Sequence, residues 1–154
     1  MGSPAVVTLG EIGDKLAIRE LIEAYAHCAD RREIEGQMAL FTDDTTFIVY
    51  MDSRAQEPSY TLNGREALRP IFENLRSYDT TTHFLGQSTL KVEGDAAMGE
   101  SYCLAHHLSV VDGHRTMMVA SIRYLDECAR QRGRWLFAKR TLLVDWIETR
   151  ISKI

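Results

Sequence analysis

Four β-rich segments run back to back through the second half of the chain, at about 80–92, 96–111, 115–127 and 134–147, with only "EGD", "DGH" and "RQRG" between them. Those breaks carry turn chemistry and are far too short for a crossover connection, so the segments must fold back on one another as an antiparallel meander. Gly86 and Gly99 fall inside these strands, where bulges and bends are made.

Before Thr80 the period changes. In "DKLAIRELIEAYAHCAD" the apolar residues Leu16, Ile18, Leu21, Ile22, Tyr25, Ala26 and Ala29 recur with helical spacing, and Asp14 is the expected N-cap. "REIEGQMALF" reads as a second, short helix with Ile34, Met38 and Phe41 on one side. Thr46–Met51, "TFIVYM", reads as a strand, and "DSRAQEPSYTLNG" as a loop whose Asp52–Leu62 stretch is a candidate cover for a site. "REALRPIFENLRSY" predicts a third helix, kinked or restarted at Pro70. Helices first and a meander afterwards imply an α+β fold, in which a curved antiparallel sheet packs on three N-terminal helices and a pocket forms between them. The expected organisation is a flexible arm over 1–13 and a single domain over 14–154.

Charge and cysteines limit the function classes. A net charge of -4 without a basic patch argues against nucleic acid and against a membrane surface. No apolar run approaches the roughly 20 residues that span a bilayer. Cys28, Cys103 and Cys128 are odd in number and widely spaced, which fits inert thiols in a reducing cytoplasm better than a disulfide framework or a zinc site. The first residues, "MGSPAVVTLGEIG", lack the layout of a signal peptide.

Chemistry is concentrated in histidines. His83 stands inside the strand "TTTHFLGQS", sharing a face with Leu85 and Gln87 while Phe84 faces the other way with Leu90 and Val92, so alternation alone leaves its direction open. On the next strand His106 shares a face with Tyr102, Leu104 and Leu108, and His107 with Cys103, Ala105 and Ser109; the bulkier apolar set predicts His106 inward and His107 outward. His27 lies off the helical stripe and His114 in a turn. Asp30 closes the first helix, where the negative end of the macrodipole disfavours a carboxylate. Either solvent compensates it or a histidine across a pocket does, and a histidine so held has one tautomer and a more basic second nitrogen.

"IRELIEAYAHCADRREIEGQMALFTDDTTFIVY" resembles the opening of the SnoaL-like branch of the nuclear-transport-factor-2-like superfamily, and "GRWLFAKRTLLVDW" resembles its closing strand. "TTHFLGQS" followed by "ESYCLAHH" is similar to scytalone dehydratase, and the surroundings of His83 to hexachlorocyclohexane dehydrochlorinase. The resemblance spans about Lys15 to Trp146 and implies a cone-shaped α+β barrel. It implies a His83–Asp30 dyad, a second histidine at His106 and a pocket tyrosine at Tyr50, and no cofactor or metal. The family's other tyrosine falls on Ala29, a departure that leaves the substrate open. The activity implied is elimination of water from a small cyclic or polyketide-like molecule. Tyr25, Phe47, Leu68, Phe72, Leu104, Val119 and Trp146 are candidate pocket walls or plain core. Arg140 either binds an anionic group or is a solvated, salt-bridged surface residue.

Three alternatives accompany this reading. The same base can isomerise a double bond or close a ring. His83, His106 and Asp30 are also a two-histidine, one-carboxylate set of the kind that holds non-haem iron. The fold serves elsewhere as a ligand-binding module and as the small structural subunit of ring-hydroxylating dioxygenases. The outer sheet face, to which Met118 and Ile122 are assigned, is expected to be covered in a homodimer or homotrimer.

Overall fold

The computed structural model describes residues 6–153. Its first element, α1 (Leu9–Arg31), begins five residues before the expected start at Asp14. Thr8 and Glu11 form a capping box, in which each side chain satisfies a backbone N–H of the other. The arm expected over 1–13 is therefore shorter, and residues 1–5 of it fall outside the described residues. Asp14 works within the helix: its carboxylate accepts from Arg130 Nη1 at 2.6 Å and Trp135 Nε1 at 3.1 Å, tying α1 to the far end of the sheet. Ile18, Leu21, Ile22, Tyr25, Ala26, Cys28 and Ala29 are buried as the spacing predicts, whereas Leu16 is exposed.

Next come α2 (Ile34–Met38), β1 (Phe41–Tyr50) and β2 (Tyr60–Asn63). A 3₁₀ turn over Arg65–Leu68 leads into α3 (Arg69–Glu73), and a second over Asn74–Ser77 follows it. The third helix thus restarts at Pro70, which sits in the first turn of α3. The meander is β3 (Thr80–Glu93), β4 (Ala96–Val111), β5 (His114–Gln131) and β6 (Arg134–Ile151). Part of the expected 52–64 loop is strand: Tyr60 pairs with Val49, so β2 forms one edge of the sheet.

The sheet order is β2-β1-β6-β5-β4-β3. It is mixed rather than wholly antiparallel, because β1 runs parallel to β6 while every other pair is antiparallel. The chain can do this because the helices and the meander intervene between β1 and β6, as a parallel pair requires. Irregularities in register between Leu85 and Ser88, Ser121 and Ile122, and Glu127 and Cys128 bend the long strands around the helices. The sheet remains open, with β2 and β3 as its edges.

One hydrophobic core fills the concave side, between the sheet and the helices. Tyr25 of α1 is its hub, edge-on to Phe41, Phe72, Tyr124 and Phe137 with centroids 5.7–6.1 Å apart. Across the sheet, the inward faces of β3, β4 and β5 carry Thr81 opposite His107, His83 opposite Ala105 and Ala120, and Leu85 opposite Cys103 and Ile122. Small side chains beside His83 leave room for its ring beneath α1.

Candidate active site

The site begins where α1 ends. Arg32 follows the helix in the left-handed conformation, φ 61°, and its guanidinium turns back to cap the last turn. Arg32 Nη1 donates to the carbonyl oxygens of Ala29 at 2.7 Å and Asp30 at 3.2 Å, and to Thr81 Oγ1 at 2.6 Å. Thr81 in turn donates its hydroxyl to Asp30 Oδ1 at 3.0 Å. The negative helix end is thus met by a cation, and the Asp30 carboxylate is free to reach β3.

On β3, Asp30 Oδ2 accepts the backbone N–H of His83 at 2.9 Å, and Oδ1 lies 2.7 Å from His83 Nδ1. A carboxylate at this separation only accepts, so the proton sits on Nδ1, and Nε2 is the free nitrogen. Burial alone would raise the Asp30 pKa; hydrogen bonds from the His83 ring and backbone and from Thr81, with the charge on His83, outweigh it and hold the carboxyl below its ordinary value. The alternative in which Asp30 is compensated by water alone is thereby replaced by a contact with His83.

His83 lines a partly open cavity of about 140 Å³ between α1, α2, α3 and the sheet. Tyr25, Phe47 and Phe72, expected as walls, do line it, as do Ala29 and Gln37. His107, rather than His106, faces it: His107 is 8% exposed and its ring lies 5.8 Å from that of His83, centroid to centroid. His106 lies on the opposite face of β4, its Nδ1 3.2 Å from the Leu104 carbonyl. The expectation for β4 is inverted because space beneath the helix, not side-chain bulk, chooses the face. Ser101, Cys103 and Ala105 fit there, while Tyr102 and Leu104 are 38% and 37% exposed outside.

Other expected site residues fall elsewhere. Tyr50 alternates with the inward Phe47 and Val49 and does not line the cavity; Tyr60, one strand over on β2, does. Leu68 is fully buried core outside the cavity wall. Leu104, Val119 and Trp146 belong to the outer face: Leu104 pairs with Phe84, Val119 with His106, and Trp146 is 49% exposed. Met118, assigned to the outer face, pairs instead with His107, and Ile122 is in the core. Arg140 is neither solvated nor open to a ligand. It is 0% exposed, gripped in two hydrogen bonds by Asp126 at 2.7 and 2.9 Å, and lies 3.9–4.3 Å over the rings of Tyr25, Tyr124 and Phe137.

His107 Nδ1 makes no well-formed hydrogen bond. Burial, then the neighbouring His83 charge, pushes its pKa down to about 4, so it is a neutral imidazole at neutral pH. Burial raises the Tyr60 phenol and pushes Tyr25 up to about 12, which keeps both as O–H donors. Since His106 is on the other face, His83, His106 and Asp30 do not converge, and no cluster of three or more His, Cys, Asp or Glu among the described residues is arranged to hold a metal ion. A larger groove of about 510 Å³, lined by residues such as Lys91, Glu100, Glu127 and Lys139, lies away from this chemistry. No helix among the described residues is long and apolar enough to cross a membrane.

Comparison with known proteins agrees with the fold. Over 88% of each chain, this protein is 24% identical to the Mycobacterium tuberculosis protein Rv2910c. A solved hexachlorocyclohexane dehydrochlorinase, LinA type 2, superposes with a TM-score of 0.77 at 19% identity, covering 95% of this chain and 94% of that one. A scytalone-dehydratase-like protein of Novosphingobium aromaticivorans gives 0.74 at 21% identity, covering 93% and 90%. Residues 10–141 match the SnoaL-like domain, and with the six-stranded curved sheet wrapped on its helices the chain belongs to the SnoaL-like family.

Proposed function

We propose that this chain is a cofactor-independent lyase that removes water from a small cyclic or polyketide-like β-hydroxy carbonyl compound, with His83 as base and Asp30 as its orienting partner. The observation that carries the reading is the 2.7 Å separation of His83 Nδ1 and Asp30 Oδ1 beside a largely apolar cavity. His83 Nε2 takes the proton from the carbon next to the carbonyl, and the electron pair left behind forms the new carbon–carbon double bond. The β carbon–oxygen bond breaks, and the His83 imidazolium, stabilised by Asp30, returns the proton to the departing oxygen. His107 does not supply that proton, since burial keeps it neutral; it hydrogen-bonds the carbonyl or the departing oxygen. Tyr60, with its phenol protonated, polarises the carbonyl in the role the resemblance assigns to Tyr50. A positioned base contributes roughly 10²–10⁴ in rate, with the remainder from orientation and exclusion of water.

The test is proton NMR of purified protein with 3-hydroxycyclohexanone in deuterated buffer. Appearance of the conjugated enone, absent with His83→Ala, is the expected result. Deuterium incorporation without loss of water would assign the same base to an isomerase or cyclase. Neither change, in protein that binds the ketone, would leave a ligand-binding module.

A further inference from the structure

Gln37 of α2 is 1% exposed and lines the cavity, yet neither its Nε2 nor its Oε1 has a hydrogen-bond partner. His107 Nδ1, on the sheet side of the same cavity, makes no well-formed hydrogen bond either, its polar neighbour being the Ala105 backbone. Buried polar groups are almost always paired, because removing them from water unpaired costs free energy that folding does not return. Two such groups lining one cavity can both be satisfied by a polar ligand seated between them. A glutamine amide offers donors and an acceptor side by side, which suits a partner carrying a carbonyl acceptor and a β-hydroxyl donor.

Size and charge narrow the partner. An engineered apolar cavity of about 150 Å³ holds one benzene ring, and this one measures about 140 Å³. No lysine or arginine is among the described residues that line it. Arg32 is committed to Thr81 and the end of α1, and Arg140 is held by Asp126 behind the rings of Tyr25 and Tyr124. With the Asp30 carboxylate behind His83, nothing here compensates an anion.

We infer that the cavity takes a neutral, single six-membered ring bearing a ketone and a hydroxyl on the β carbon, held by the Gln37 amide and His107 Nδ1. The inference rests on the reading above in taking this cavity as the substrate's site, and it makes Gln37 a specificity-determining residue of that site. The volume favours one ring over two, and the lining, without lysine or arginine, disfavours a carboxylate.

The experiment titrates the full chain by NMR with cyclohexanone, toluene, 1-tetralone and benzoate, in wild type, Gln37→Leu and Gln37→Met. Wild type should bind cyclohexanone more tightly than benzoate or 1-tetralone. Both variants should weaken cyclohexanone about tenfold or more while keeping or improving toluene. Their melting temperature should not fall, because an unpaired amide is replaced by hydrocarbon of similar size. Cyclohexanone bound equally by wild type and the variants would overturn the inference. So would loss of toluene together with the fold in both variants, which would make Gln37 structural, or a preference for benzoate or 1-tetralone in wild type. The base reading fails separately: His83→Ala that still turns over 3-hydroxycyclohexanone removes the base and leaves this binding order standing.

Discussion

Asp30 holds His83 at both ends, its Oδ2 accepting the backbone N–H at 2.9 Å and its Oδ1 the ring Nδ1–H at 2.7 Å. One carboxylate therefore fixes the strand position, the ring orientation and the tautomer together. Asp30→Asn keeps the side chain's shape but removes the charge that stabilises the imidazolium, so turnover should fall by about 10² or more with a stability loss of about 1–3 kcal/mol. His83→Ala should abolish turnover and leave the circular dichroism spectrum unchanged. A chain that fails to fold would make His83 a packing residue, and unchanged kcat in Asp30→Asn would detach Asp30 from the chemistry.

His107 makes stability depend on pH in a defined window. Its pKa is lowered in the folded chain, from 6.5 to about 4, so between those values the unfolded chain binds a proton that the folded chain refuses. More protons on the unfolded state mean stability that rises with pH there and is lost as pH falls from 6.5 towards 4, by at most about 3 kcal/mol. Asp30, whose pKa is also lowered, contributes in a different window: its stabilisation is present above 3.8 and is lost only below it. Urea unfolding at steps between pH 7 and pH 4 should show this slope in wild type and lose it in His107→Leu. An unchanged slope in the variant would assign the proton to another group.

What could be read from the chain follows the strength of the local signal. The stripe on α1 and the meander with its three tight turns follow from periodicity and turn residues; the unfavourably placed Asp30 carboxylate leaves solvent and a histidine both open, and its pairing with His83 comes from the family resemblance. The start of α1 was also legible, since Thr8 and Glu11 have capping-box spacing; Asp14, a plausible cap, masks it. His107 was not, because strand alternation gives two faces without saying which is inward, and a helix lying close over the sheet favours the smaller set. Tyr60 was hidden by its neighbours, a four-residue edge strand after a polar, proline-containing stretch. Gln37 gives no signal at all until burial shows that both its amide atoms lack partners.

The outer face of the sheet carries Phe84, Leu104, Ser121 and Trp146 as successive cross-strand partners over four strands, an apolar row with Phe84 67% and Trp146 49% exposed. Rows of this kind on a sheet mark contact surfaces, and a second copy of the chain is the expected cover. Light scattering should give a multiple of 17.5 kDa, falling towards that value in Leu104→Lys or Trp146→Lys. A wild-type chain that stays at 17.5 kDa at every concentration would refute self-association through this face.

Arg140 and Asp126 are 0% and 2% exposed, and the guanidinium lies among the rings of Tyr25, Tyr124 and Phe137. Burial opposes the arginine's charge, but the Asp126 carboxylate and its hydrogen bonds outweigh that and raise its pKa further, so the guanidinium stays charged throughout the working range. Arg140 Nη1 has no partner, so the pair is not fully satisfied even intact. Removing one member leaves an uncompensated buried charge: Arg140→Met or Asp126→Leu alone should cost about 3–5 kcal/mol in urea unfolding. The double variant removes both charges and should recover most of that loss. Because Tyr25 and Tyr124 lie between the guanidinium and the cavity that His83 lines, the singles should also slow turnover, and the double should restore folding more fully than rate. If the two single costs simply add in the double variant, the pair is uncoupled and the arginine's contribution is its stacking on the three rings.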